Sequence, residues 1–279
     1  MDAAADEWGA YWQTAPADGC TAAFPPAVAA AIAARWRGLL AGLPADARLI
    51  DIACGRGALL ALARERGLSD VVGVDAATVA AADPAIRGGI DAARLPFADA
   101  SFDVAVSQFG VEYAGLVPAV AEAARVACRQ VWLLLHAADG TVVGAGRELV
   151  AQADWLRAGV QAFTRLARHA ASPDAASAAD VEALRAAIVA RAEAATNTSL
   201  LEAVWQAAGA QLAAPDAAAV ASLANDVQAW ARRLALLTGA APDAASVAAV
   251  AETLRAGGWT VTVADEGAPP AARWLLASR

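Results

Sequence analysis

This sequence of 279 residues predicts an α/β fold, with a mostly parallel sheet covered by helices on both faces. The first observation is the stretch 48–57, where an apolar, strand-like run leads into two glycines and then into an apolar helical segment over residues 58–66. The second is an apolar run over residues 69–75, which follows that helix. The third is the alternation of further apolar runs with helical periodicity, which is typical of βαβ units.

The turn after the first strand carries Gly55 and Gly57, which let the backbone turn sharply and let a ligand approach it, because no Cβ is in the way. A plain strand-to-helix turn is the alternative. The second run ends in Asp75, about 20 residues further on, where nucleotide-binding βαβ units carry an acid that accepts hydrogen bonds from ribose hydroxyls. The sixth position counted from Gly55 is the bulky Leu60, where a dinucleotide fingerprint needs a small residue. NAD and FAD are therefore disfavoured.

The motifs at residues 51–57, 75, 91–97 and 101–104 resemble, in order, those of class I S-adenosylmethionine-dependent methyltransferases of the ubiquinone-biosynthesis-like type. The likeness covers residues 40–140 and resumes over 244–279. It implies a Rossmann-like, seven-stranded sheet in the order 3-2-1-4-5-7-6 and S-adenosylmethionine as the cofactor. The sequence departs from the family at Ala53, where the motif has its first glycine. We expect alanine there only if its φ is below zero.

The resemblance also implies which residues face the cofactor. Asp75 would hold the ribose, Asp91 would accept a hydrogen bond from the adenine amino group, and the backbone of Ala92 would recognise a ring nitrogen. The cofactor-binding candidates are Asp51, Ala53, Cys54, Gly55, Gly57, Asp75, Ala76, Asp91, Ala92, Ser107, Gln108 and Phe109.

Candidate catalytic residues follow two later strands. A strand over residues 102–107 would deliver residues 108–113, including Glu112 and Tyr113, to the carboxyl edge of the sheet, where open α/β sheets bind ligands. His136 follows the apolar strand 131–135 and could act as a general base for an oxygen nucleophile. Glu112 could instead be a solvated acid at a helix start, and His136 could be a structural residue at the end of its strand.

The chain organisation predicts one cofactor-binding domain with an insertion. Residues 1–146 and 240–279 would form this Rossmann-like domain, and residues 147–239, which are helical throughout by periodicity, would form an insertion after strand five that caps the substrate. Within an N-terminal segment over residues 1–45, Trp8 and Trp12 would either pack on the core or belong to a lid over the cofactor.

Several element boundaries follow from the same patterns. We expect a short third strand near residues 89–91, a helix over 117–129, a last helix over 244–257, and a terminal antiparallel pair over 259–264 and 272–277. His169, in a polar helical stretch, is expected to be exposed.

Composition narrows the function classes. A net charge of −8 argues against nucleic acid and anionic membranes as partners, because basic residues drive binding to phosphates. Cys20, Cys54 and Cys128 have no metal-ligand spacing and fit a reducing cytoplasm.

We expect methyl transfer to a small-molecule acceptor through an oxygen, or a carbon or nitrogen, nucleophile. The alternative is a protein that binds S-adenosylmethionine or S-adenosylhomocysteine without transferring a methyl group.

Overall fold

The computed structural model describes residues 3–15, 21, 24–78 and 83–279. The chain divides into two compact units, one of Met1–Val143 with Gly239–Arg279 and one of Gly144–Thr238. The first unit holds the sheet, whose strands are β1 Leu49–Ile52, β2 Val71–Val74, β3 Ile86–Arg87, β4 Phe102–Gln108, β5 Ala127–His136, β6 Thr260–Glu266 and β7 Ala272–Ser278.

The helices of the described residues are α1 Ala3–Thr14, α2 Pro26–Ala41, α3 Ala58–Glu65, α4 Leu116–Val126, α5 Thr141–Asp154, α6 Ala162–Ala171, α7 Ala175–Ala192, α8 Ser199–Ala213, α9 Ala217–Ala240 and α10 Ala244–Ala256. A 3-10 turn lies at Val111–Ala114 and a π-helical turn at Trp155–Gly159. No single helix in this described part of the chain is long and apolar enough to cross a membrane, although α9 and α10 together meet the length and composition.

The sheet has the order β3-β2-β1-β4-β5-β7-β6, which confirms the predicted order. Strands β1 to β5 pair in parallel, while β7 runs antiparallel to both β5 and β6. The predicted Rossmann-like class, with helices on both sides of the sheet, is also confirmed. Since the parallel strands all point the same way, their carboxyl ends lie along one edge of the sheet.

Helices cover both faces of this sheet because its central strands are buried on both sides. Each residue of β1 is buried, as expected for an inner parallel strand. Apolar residues of α4 and α10 form a core with one face, and residues of α2 and α3 form a core with the other. Pro26 stands at the start of α2, where its missing N–H costs no helical hydrogen bond.

Two sequence-based boundaries were wrong. The third strand lies at Ile86–Arg87, where Gly73 and Val74 of β2 provide its pairing partners, while Gly89 has a φ of 74° and cannot continue the strand. The helix predicted over 117–129 ends at Val126, because Ala127 already has extended backbone angles and pairs with Phe102. Strand β5 is accordingly ten residues long and ends at His136.

The second unit is helical and has its own core. Residues of α5 to α9 pack around buried side chains such as Leu156, Leu184 and Leu201. His169 is not exposed as expected, since it is 4% exposed and its Nδ1 lies 2.9 Å from the Ser177 Oγ. Ser177 also belongs to the capping box at the start of α7, so the His169 imidazole is hydrogen-bonded to the N-terminus of this helix.

Candidate active site

Four parallel strands end at the same edge of the sheet, and each is followed or closed by a predicted site residue. Ala53 follows β1, Asp75 follows β2, Phe109 follows β4, and His136 is the last residue of β5. The parallel pairing of β1 with β2 and β4, and of β4 with β5, places these residues side by side. The carboxyl edge of the sheet therefore gathers a glycine loop, a carboxylate and an imidazole.

The backbone at two of these strand ends is strained. Ala53 has a φ of 57°, so the expectation of a negative φ was wrong and alanine occupies the left-handed conformation of the glycine that it replaces. Phe109 has a φ of 56°, and its N–H donates to the Leu134 carbonyl oxygen at 2.7 Å. Non-glycine residues in this region cost free energy and are found mainly at functional sites.

Asp75 organises the glycine loop. Its Oδ2 accepts the Gly55 N–H at 2.8 Å, and its Oδ1 accepts the Ala77 N–H at 2.8 Å. The side chain is buried, and burial raises the pKa of this carboxyl while the two backbone hydrogen bonds oppose the rise. Each carboxylate oxygen has a second lone pair, so the group can still accept hydrogen bonds from two hydroxyls of a ligand.

Asp51 and Cys54 lie beneath the same loop. Burial raises the pKa of Asp51 well above its ordinary value, and the nearby charge of Asp75 raises it further. Burial likewise raises the pKa of the Cys54 thiol. A Cβ on Gly73 would stand 2.7 Å from the Cys54 Sγ, so this thiol is packed against β2 and is chemically inert.

Glu112 and His136 form a buried pair. The Glu112 Oε1 accepts the His136 backbone N–H at 3.1 Å and lies 2.8 Å from the His136 Nδ1. The Glu112 side chain is fully buried, so the alternative of a solvated acid is wrong. An ionised carboxylate can only accept hydrogen bonds, which places the proton of a neutral imidazole on Nδ1 and leaves Nε2 as an acceptor.

Aromatic rings surround this pair. The Phe109 ring centroid lies 4.5 Å from that of His136, and the Tyr113 ring meets His136 edge-on at 6.3 Å. Phe24 stacks on the other side of Phe109 with centroids 5.0 Å apart. The predicted catalytic residues are thus brought together by the end of β5 and the 3-10 turn after β4.

The remaining cofactor candidates fall into different surroundings. Ser107 is buried, and its Oγ has no hydrogen-bond partner in the described part of the chain. Gln108 accepts the Trp36 indole N–H at 2.6 Å, which directs its carbonyl oxygen toward α2. Asp91 is exposed and accepts the Ala93 N–H at 2.9 Å, Ala92 is buried, and Ala76 is exposed beside Asp75.

Gly110 lies in the stretch 108–113 that was predicted to reach this edge, but it was not among the predicted site residues. A Cβ at this position would overlap the Ala53 Cβ and would stand 3.0 Å from the Ala53 carbonyl oxygen. The ends of β1 and β4 can therefore approach each other only because residue 110 is glycine. A glycine directly after a predicted central strand was a usable signal for such a close approach.

Part of this chain matches a known protein family. Residues 50–135 match a family model described as a methyltransferase domain. No curated protein sequence matches the chain significantly. The matched range begins inside β1 and stops one residue before His136, and the helical unit lies wholly outside it.

Solved structures resemble parts of this chain. The YcgJ protein from Bacillus subtilis is 28% identical over 44% of this chain and 59% of its own, with a TM-score of 0.34. An S-adenosylmethionine-dependent methyltransferase from Mesorhizobium loti is 24% identical over 38% and 55%, with a TM-score of 0.32. Geranyl diphosphate C-methyltransferase from Streptomyces coelicolor A3(2) is 19% identical over 49% and 67%, with a TM-score of 0.35. This chain spans less than two thirds of the length of the first two.

The fold and the matched range indicate which class of protein this chain resembles. Residues 50–135 resemble the methyltransferase domains that the matching family model describes, within a sheet of Rossmann-like order. S-adenosylmethionine is the expected cofactor of a protein of this class.

Proposed function

We propose that this protein transfers the methyl group of S-adenosylmethionine to a small-molecule acceptor at the carboxyl edge of its sheet. The observation that carries the proposal is the position of Asp75, a buried carboxylate at the end of β2 that holds the N–H groups of Gly55 and Ala77. This carboxylate and the adjoining loop have the chemistry that a ribose needs. The family of residues 50–135 supports the same assignment.

The described residues fit such a cofactor in two further respects. Gly55 has a φ of 51° and no Cβ, so no side chain of its own shields the backbone of the loop from a ligand. The Ser107 Oγ and the Glu112 Oε2 are buried polar atoms without hydrogen-bond partners among the described residues. Buried polar atoms without partners are costly and are expected where a ligand supplies the missing hydrogen bond.

The cofactor would supply a methyl group that is already electrophilic, because it is attached to a positively charged sulfur. The protein then has to align the acceptor with the bond that breaks and keep water away. The rings of Phe109 and Tyr113 would exclude water around His136. His136 would take the proton of an acceptor hydroxyl on its Nε2, and Glu112 would hold the imidazole in the required tautomer.

A binding and turnover experiment tests this function. Calorimetry with S-adenosylhomocysteine should show a single site, and incubation with S-adenosylmethionine and a panel of small phenols, alcohols and amines should release S-adenosylhomocysteine with at least one of them. Absence of binding would contradict the proposal. Binding without turnover across the panel would favour the alternative of a cofactor-binding protein without methyl transfer.

A further inference from the structure

The aromatic face of α1, which consists of Trp8, Tyr11 and Trp12, contacts the glycine loop through Trp12. A Cβ on Gly55 would stand 2.5 Å from the Trp12 Cζ2 and 2.8 Å from its Cε2, so the indole fills the space that the missing side chain leaves. Trp12 is 7% exposed and packs with Ala77, which follows the ribose-binding candidate Asp75 by two residues. The indole therefore covers the part of the loop from which a cofactor would be held.

Two more contacts hold α1 in this place. The Arg56 Nη1 donates a hydrogen bond to the carbonyl oxygen of Ala15 at 2.8 Å, which ties the chain just after α1 to the loop. The Trp8 ring meets the Tyr113 ring edge-on, with centroids 5.2 Å apart. The aromatic face thus reaches from the cofactor loop to a residue beside His136.

The Trp12 indole and a bound cofactor cannot both occupy the space above Gly55. We propose that α1 is an autoinhibitory plug, whose Trp12 must leave Gly55 before the cofactor can bind. This inference rests on the proposed function, because the ligand that competes with Trp12 is the cofactor assigned there. It makes the measured cofactor affinity the product of the intrinsic affinity and the fraction of molecules in which α1 is displaced.

The packing of α1 shows how such a displacement can occur without unfolding the sheet. Among the described residues, its buried cluster consists of Trp12, Ala15 and Ala77 with Trp8 and Tyr11 packed against it, and it is separate from the two cores on the faces of the sheet. The Trp8 Nε1 is buried and has no hydrogen-bond partner among the described residues, which penalises the closed arrangement. A small cluster with an unsatisfied N–H belongs to the part of a structure that opens most readily.

The test compares a substitution at a buried position of α1 with one at an exposed position, both in the full chain. Trp12→Ala removes the indole from Gly55 and should tighten S-adenosylhomocysteine binding roughly ten-fold or more, with a faster association rate. Gln13→Ala lies on the exposed face of the same helix and should bind like the wild type. Calorimetry and stopped-flow fluorescence give the two readouts. Unchanged or weaker binding by Trp12→Ala would overturn the plug.

A second readout does not depend on any variant. Hydrogen–deuterium exchange of the wild type should show that the amides of residues 3–15 exchange faster once S-adenosylhomocysteine is added, and unchanged or slower exchange would overturn the plug. If Trp12→Ala does not fold, Trp8→Ala replaces it with the same expected direction. Equal binding by the wild type and the folded variant leaves the proposed function intact and refutes the plug, whereas no binding by either refutes both.

Discussion

The His136 Nδ1 lies 2.8 Å from the Glu112 Oε1, and the same oxygen accepts the His136 backbone N–H at 3.1 Å. This carboxylate therefore positions the imidazole, and in its ionised form it favours the neutral tautomer that carries the proton on Nδ1. If His136 is the general base, His136→Ala should lower turnover roughly 10²–10⁴-fold with little change in cofactor affinity. Steady-state kinetics and calorimetry on the same variant separate the two effects.

A pH–rate profile distinguishes a base from a structural histidine. The acidic limb that a histidine base produces should disappear in His136→Ala. Glu112→Gln retains an acceptor oxygen and should lose less activity than Glu112→Ala, because only the latter removes both hydrogen bonds to His136. An identical acidic limb in the wild type and in His136→Ala would mean that His136 is structural.

Asp75→Ala should weaken S-adenosylhomocysteine binding strongly. The variant would lose two charge-assisted hydrogen bonds to the ribose, which contribute about 1.5–3 kcal/mol each. It would also release the Gly55 and Ala77 N–H groups that now donate to the carboxylate. Asp70→Ala is the matched control, since it removes an exposed carboxylate just before the other end of β2. Wild-type affinity in Asp75→Ala, measured by calorimetry, would rule out this role.

Ala53 and Gly110 should behave as a coupled pair. Gly110→Ala places a Cβ onto that of Ala53 and should lower the free energy of unfolding by roughly 1–3 kcal/mol. Ala53→Gly removes both that methyl group and the strain of a φ of 57°, so it should be close to neutral. In the double variant the loss should be smaller than the sum, with a coupling of roughly 0.5–3 kcal/mol in denaturant unfolding. Additive losses would show that the two strand ends are independent.

Asp51→Asn should increase stability at neutral and alkaline pH. Burial raises the pKa of Asp51 in the folded state above its value in the unfolded state. The contribution of Asp51 to the free energy of unfolding is therefore most favourable below about pH 4, and it is lost as the pH rises through the folded-state pKa. Asparagine carries no charge and has no such loss. The stability difference should therefore grow with pH, by up to about 1.4 kcal/mol per pH unit within that window.

Denaturant unfolding at pH 5 and pH 8 measures that difference. A wild type that gains stability over Asp51→Asn as the pH rises would contradict the assignment of a raised pKa. The same variant is also informative in cofactor binding, because Asp51 is one of the predicted cofactor-binding residues.

Much of the sheet was predictable because its elements are defined by local patterns. The apolar run before Gly55, the run ending at Asp75 and the resemblance of the later motifs led to the observed strand order. The boundary errors at β3 and β5 arose where pairing partners, and not local periodicity, decide which residues are extended. The burial of His169 depends on Ser177, eight residues away on the next helix, and no local sequence pattern predicted this burial.

What the sequence determined by itself is the set of groups at the carboxyl edge of the sheet, because parallel strands bring the residues that follow them to one edge. Tertiary structure alone decided how these groups meet. Glu112 binds His136 across 24 residues, Ala53 takes a left-handed conformation against Gly110, and Trp12 lies on Gly55. Each of these contacts joins elements that are distant in the chain, so it depends on packing and hydrogen bonding that only the folded protein brings about.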